Sequence, residues 1–215
     1  MDEILKFLED LKSNNNREWF QTNIERYRSA QKKFDSLAMT IMSGIAAFDN
    51  SVMGLQLKEC TYRIYRDVRF SPNKEPYKTH MGVYVCPKGK KSGFAGYYFH
   101  LEPDNHSLLA VGLHCPEPKV VGSVRDEIFD NGDEFLKSIE ESNAFIIDQS
   151  SKLKRAPKGY PADSKYVEYL KLKEFDLIKA VSIDGNTISR ALSDFKSASH
   201  FVQILNRAVS YAKEN

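Results

Sequence analysis

Only three cysteines, Cys60, Cys86 and Cys115, occur in 215 residues, and no two form a CxxC pair. That excludes a disulfide framework and a cysteine-rich zinc site, and a reducing, cytoplasmic compartment is expected. Charge of one sign is lacking too. Lys and Arg total 31 against 29 acids, a net of +2, so whole-molecule charge selects no polyanionic partner. No stretch approaches the ~20 consecutive apolar residues that span a bilayer, and no membrane association is expected. The opening MDEILKFLEDLKSNNN has neither the basic nor the apolar region of a secretory signal. Glycine (11) and proline (8) are too sparse for a collagen-like or Pro/Gly-rich disordered chain. What is present is ordinary: 41% apolar and 12% aromatic residues, enough to bury a sizeable core.

Hydrophobic spacing predicts where that core is built. Ile4, Leu5, Leu8 and Leu11 recur at helical intervals over residues 2–13, with acids early in the segment where they suit the helix dipole. Asn14-Asn15-Asn16 stops this helix, and Asn15 with Glu18 resembles a capping box for the next. A 3.6-residue period then continues through Phe20, Ile24, Phe34, Ile41 and Phe48, as one long helix or two in succession. Four short runs follow, rich in Tyr, Phe and Val and separated by turn residues: TYRIYRD, MGVYVC, GFAGYYFHLE and SLLAVGLHC. They read as an antiparallel meander. Pro118 opens a helix striped by Val121, Val124 and Ile128. Another helix follows over 133–141, FIIDQ and EFDLIKAVS read as two more strands, and the C-terminus is helical. No linker or repeat divides the chain. The expectation is a single α+β domain over 1–215, a mainly antiparallel central sheet flanked by N-terminal and C-terminal helices.

Local charge is less even than the total. Residues 61–91 carry Arg63, Arg66, Arg69, Lys74, Lys78, Lys88, Lys90 and Lys91 against Asp67 and Glu75. A second basic stretch spans 152–173. In RIYRDVRFSPNKEPYKTH three arginines fall at every third position beside Tyr77 and Lys78. Guanidinium forks pair bidentately with carboxylate or phosphate, so these groups predict a pocket for an anion. The competing reading pairs the same arginines with local acids such as Asp67. The Lys88–Lys91 loop reads as a solvated hairpin tip.

Sharper motifs fail on their own requirements. Ser71-Pro72-Asn73-Lys74 fits S-x-x-K, but the S-D-N and K-T-G partners of that nucleophile are missing. Gly89-Lys90-Lys91-Ser92 lacks the preceding glycine of a P-loop. Among the histidines, His100-Leu101-Glu102 puts an imidazole and a carboxylate on one strand face, an arrangement suited to a metal or an acid–base pair. Its spacing matches no ligand motif, so neither metal nor cofactor is assigned.

Several blocks together carry a resemblance. FLEDLKSNNNREWF, RIYRDVRFSPNKEPYKTHMG, KKSGFAGYYFHLEP, PEPKVVGSVRDEI and the late Gly159-Tyr160-Pro161-Ala162-Asp163 with Tyr169–Phe175 are similar to the successive blocks of a family of bacterial and fungal proteins known as a domain of unknown function. The RxYRDxRFSxxKxPYK block is long and specific. The resemblance implies no reaction and no catalytic residue. SLLAVGLHC departs from the family's more glycine-rich version, which sets His114 and Cys115 apart.

The residues therefore predict an anionic or phosphate-bearing small-molecule ligand held by Arg63, Arg66, Arg69, Lys78, Tyr77 and Tyr98, with His80 or His100 as the proton-transfer group. The alternatives are a nucleic acid tracked by the basic segments, or an acidic protein docked on them.

Overall fold

The computed structural model describes residues 1–142 and 145–215. Three helices open the chain: α1 (Asp2–Ser13), α2 (Arg17–Thr22) and α3 (Ile24–Ala46). In α1 the stripe Ile4, Phe7, Leu8, Leu11 is buried, with acids in the first turn and Lys12 in the last. The cap of α2 is Asn16 rather than Asn15: its side chain accepts from Trp19 N at 2.9 Å. The predicted run to residue 48 is two helices, because Asn23 at φ −104°, ψ 20° breaks it. A 3-10 turn (Asn50–Val52) and the short α4 (Leu57–Cys60) lead to the sheet.

The sheet contains β1 (Met81–Val85), β2 (Gly96–Leu101), β3 (Leu108–Leu113), β4 (Ile146–Ile147) and β5 (Phe175–Ala180), in the order β1-β2-β3-β5-β4 with every pair antiparallel. The turn between β2 and β3 holds Asp104 and Asn105 at φ 60° and 61°, a left-handed pair that Asp and Asn tolerate. Between β3 and β5 lie α5 (Pro118–Asp130), α6 (Gly132–Glu141) and the short α7 (Val167–Leu170). Helices α8 (Thr187–Ser197) and α9 (Ser199–Glu214) close the chain. The architecture is α+β, with helices at both termini, as the hydrophobic pattern predicts. Among the described residues no helix is long and apolar enough to cross a membrane.

One feature differs. TYRIYRD is not a strand of the sheet; only the isolated bridges Thr61↔Val83 and Tyr65↔Tyr77 form. Of its side chains only Ile64 is buried. A stretch with charged and hydroxylated groups facing both ways has no apolar face to commit to a sheet. FIIDQ likewise contracts to the two residues of β4.

Strand alternation decides the two faces of the sheet. Val83 and Val85, Tyr97, Phe99 and Leu101, Leu109, Val111 and Leu113, and Phe175 and Leu177 are all buried. They form one continuous core with α1, α3, α8 and α9, in which α3 packs on β1 and α9 on β3. Gly82, Tyr84, Tyr98, His100, Leu108, Ala110, Gly112, Asp176 and Ile178 point the other way. An antiparallel sheet can leave that second face to solvent.

Candidate functional site

The open face is floored by Tyr84 and Tyr98, which are register partners, and by Leu108, Ala110 and Ile178. Small residues shape it. A Cβ on Gly82 would stand 2.5 Å from the Tyr98 hydroxyl, so glycine is what lets that ring lie flat across β1. The Tyr84 hydroxyl donates to the carbonyls of Phe94 at 2.9 Å and Gly112 at 3.0 Å, which pins its ring to the floor. Over this floor lies a cleft of about 560 Å³.

One wall comes from the irregular segment that runs along the free edge of β1. Thr61 bridges Val83, and the bond from Lys78 N to Ile64 O (2.8 Å) folds the segment back on itself. Tyr62, Arg63 and Lys78 thereby reach the cleft, and the β1–β2 hairpin loop adds Lys90. Two ammonium groups approach the Tyr62 ring, Lys78 Nζ at 5.3 Å and Lys90 Nζ at 5.7 Å from its centre. Burial, and then the charge of Arg63, lower the pKa of Lys78. Lys90 donates to the carbonyl of Lys58. Among the described residues no carboxylate pairs with Arg63, Lys78 or Lys90.

The opposite wall is acidic. Asp176, Asp148 and His114 line the cleft there. Asp176 is buried, which raises its carboxyl pKa against the opposing bond to His114 Nδ1 at 3.2 Å. That same bond raises the pKa of His114. β1 and β5 are three strand spacings apart, so the walls stand about 14 Å from each other.

Beside the floor, hydroxyl, imidazole and carboxylate form a chain. Tyr98 Oη and His100 Nδ1 share a hydrogen bond of 2.9 Å, and His100 Nε2 meets Glu102 Oε2 at 2.9 Å. Thr79 donates to the other carboxylate oxygen at 3.0 Å. Burial pushes the Glu102 carboxyl up, but the bonds from His100 and Thr79 outweigh it and leave the pKa lowered. The His80 ring lies against His100, centroids 4.4 Å apart. Burial, aided by the neighbouring His100, Lys78 and Arg66, takes His80 down to about 4, so it is neutral at physiological pH.

Of the residues predicted from sequence, the structure brings Arg63, Lys78, His80 and Tyr98 to one cleft, with His100 bonded to Tyr98. It does not bring Arg66, Arg69 or Tyr77 there. Arg69 is exposed and forms a two-point pair with Asp67 at 3.0 and 2.6 Å. Arg66 faces Glu75 at 3.6 Å. Tyr77 is buried and stacks on Phe20 at 3.9 Å. Arg69→Ala should therefore leave the unfolding midpoint and any ligand affinity unchanged, because an exposed ion pair contributes little; parallel thermal melts with and without phosphate would show it.

Sequence reasoning missed Lys90, Tyr62 and the acidic wall. For Lys90 the available signal was Lys88-Gly89, which takes positive φ (63° and 82°) and turns the loop back over Glu59. The acidic wall had no signal, because β3 and β5 are brought together from 62 positions apart. Cys60 and Cys86 are inert by placement: both are buried, which pushes their thiols up to about 11, whereas Cys115 is exposed.

Fold and site together define an α+β protein whose antiparallel sheet is helix-packed on one face and carries a charge-divided cleft on the other. The chain belongs to the family described as conserved hypothetical protein (DUF2461), which matches residues 3–206. No curated protein and no solved structure matches the chain.

Proposed function

We propose that the cleft binds a small molecule bearing a carboxylate or phosphate, held at the β1 wall by Arg63, Lys78 and Lys90. The observation that carries this reading is the absence of carboxylate partners for these three cations, among the described residues, at the wall of a cleft of about 560 Å³. A partly desolvated ammonium without a counter-charge is costly, and an anionic ligand would relieve that cost. The neutral remainder of the ligand would lie over Tyr98, Ala110 and Ile178. Tyr98, whose pKa burial raises, would meet the ligand as a hydrogen-bond donor, and His100, bonded to it and to Glu102, is the proton-transfer candidate behind it.

The acidic wall favours a small ligand over a polyanion, since a nucleic-acid backbone continuing across the cleft would meet Asp148 and Asp176. In the second basic stretch three of the seven cations are already spent on carboxylates, Lys152 and Lys171 on Glu168 and Lys165 on Asp133.

A thermal-shift series with phosphate, sugar phosphates and nucleotides tests the reading. A ligand at a hundredfold its Kd should stabilise by about 2.7 kcal/mol, roughly 5–10 °C for a chain of this size. Lys78→Met should weaken that ligand by about 10- to 100-fold while Arg69→Ala leaves it unchanged. Equal shifts in wild type and Lys78→Met would overturn it. A nucleic-acid complex whose affinity falls steeply with salt would favour the alternative.

A further inference from the structure

His80 precedes β1, and His100 and Glu102 come from β2 and its end, yet one ligand atom from each lies within 4.8 Å of the others. We propose that His80, His100 and Glu102 bind a divalent transition-metal ion of the zinc type, with an open coordination position toward the cleft. Two imidazoles and one carboxylate are a donor set for Zn²⁺, Co²⁺ or Fe²⁺ rather than Mg²⁺ or Ca²⁺.

Two of the three donors already stand at the spacing of a loaded site, and the third lies within 4.8 Å of both. Donors about 2.0–2.1 Å from one metal, at angles between 90° and tetrahedral, stand about 2.8–3.4 Å apart. His100 Nε2 and Glu102 Oε2 are already 2.9 Å apart. Two imidazoles on one metal place their ring centres about 4.5 Å apart at a right angle and about 5.2 Å apart at the tetrahedral angle; those of His80 and His100 are 4.4 Å apart, so a tetrahedral ion would draw the rings slightly apart.

The groups around the ligands are also in place. A metal-bound histidine gives its other ring nitrogen to an oxygen that fixes its orientation, and Tyr98 Oη stands at His100 Nδ1. Thr79 holds the second oxygen of Glu102. Metal at Nε2 puts the ring proton on Nδ1, from which it donates to Tyr98, so His100 exchanges its bond to Glu102 for a shared metal and keeps its bond to Tyr98. Asp104 and His106, the other polar groups of the same turn, are exposed, and Asp104 is held by Lys12 at 2.8 Å.

A rival trio, His114, Cys115 and Glu174, sits at the rim of the acidic wall. His114 and Cys115 are exposed there, and the Cys115 thiol is bonded to Glu174 at 2.9 Å, which raises its pKa.

The test is titration of the full, chelator-treated chain with Co²⁺, followed by visible absorption, and with Zn²⁺ by calorimetry, both without added anion. One ion per chain is expected. Glu102→Gln, nearly isosteric, and His100→Ala should each cut affinity at least ~100-fold, and Tyr98→Phe about 10- to 100-fold with stoichiometry retained. His114→Ala should change nothing. No binding, or binding that survives Glu102→Gln in a folded protein, or binding lost in His114→Ala, would overturn the assignment. Failure here leaves the anion reading standing, because that is measured on metal-free protein with phosphate.

Discussion

Gly112→Ala is expected to lower the thermal midpoint by roughly 6–12 °C. Gly112 lies inside β3 at φ 129°, and a Cβ there would stand 2.0 Å from the carbonyl oxygen of Phe175 and 3.2 Å from Cα of Asp176. Both obstacles are backbone of the neighbouring strand, so relief requires β3 and β5 to part at Gly112↔Asp176. The left-handed backbone adds its own strain for any residue with a Cβ. Together these amount to about 3 kcal/mol or more, and a chain of this size loses about 2–4 °C per kcal/mol. Gly122→Ala is the matching control. It lies within α5 with nothing inside 4 Å of the added methyl, so it should raise stability by about 0.5–1 kcal/mol. Calorimetric scans of both variants suffice; a Gly112→Ala midpoint equal to wild type would mean that the strands are not packed this closely.

Acid should weaken the metal-free protein through His80. Its pKa is about 4 when folded, against the ordinary 6.5. The unfolded chain therefore binds the proton more readily, and stability declines as pH falls from about 6.5 and levels off near 4. The full contribution is about 3 kcal/mol. His100, Glu102, Lys78 and Arg66 all face His80 and set this balance. Opposing trends come from the acidic wall, where His114 and Asp176 are both raised. The clean observable is thus a difference. Urea unfolding of wild type at pH 7 and pH 4.5 should show a loss that is largely absent in His80→Asn. An equal loss in both proteins would remove His80 from the account.

Much of the scaffold is legible because burial imposes a period. The helical period of α1, α3 and α5 and the alternation in β1, β2 and β3 were plain, since each element has one wet and one dry face, although the fully buried positions are Phe7 rather than Leu5 in α1 and Val120 rather than Val121 in α5. The segment 61–80 was not. Its residue types are those of a strand, but a strand needs a continuous partner along at least one side and a common apolar face, and this segment makes only isolated bridges and buries only Ile64 of TYRIYRD. Its arginines looked equivalent in sequence. Their fates diverge through neighbours only two or nine positions away, Asp67 for Arg69 and Glu75 for Arg66, and Arg63 alone among them is directed into the cleft. The pairing of Tyr98 with His100 could be anticipated from their spacing along one strand. The approach of His80 could not, because it depends on the register Gly82↔His100.

Asn15 has a consequence for how the molecule opens. Its side chain accepts from Tyr77 N at 3.1 Å and donates to Tyr77 O at 3.0 Å, as a neighbouring strand would. With the ring of Tyr77 resting on Phe20, this ties the cationic wall to the first two helices across 62 positions of chain. Amide protons of 64–78 should then exchange with solvent in concert with those of α1 and α2, as a single cooperative unit, and a nick or truncation near the N-terminus would be felt as a loosened cleft.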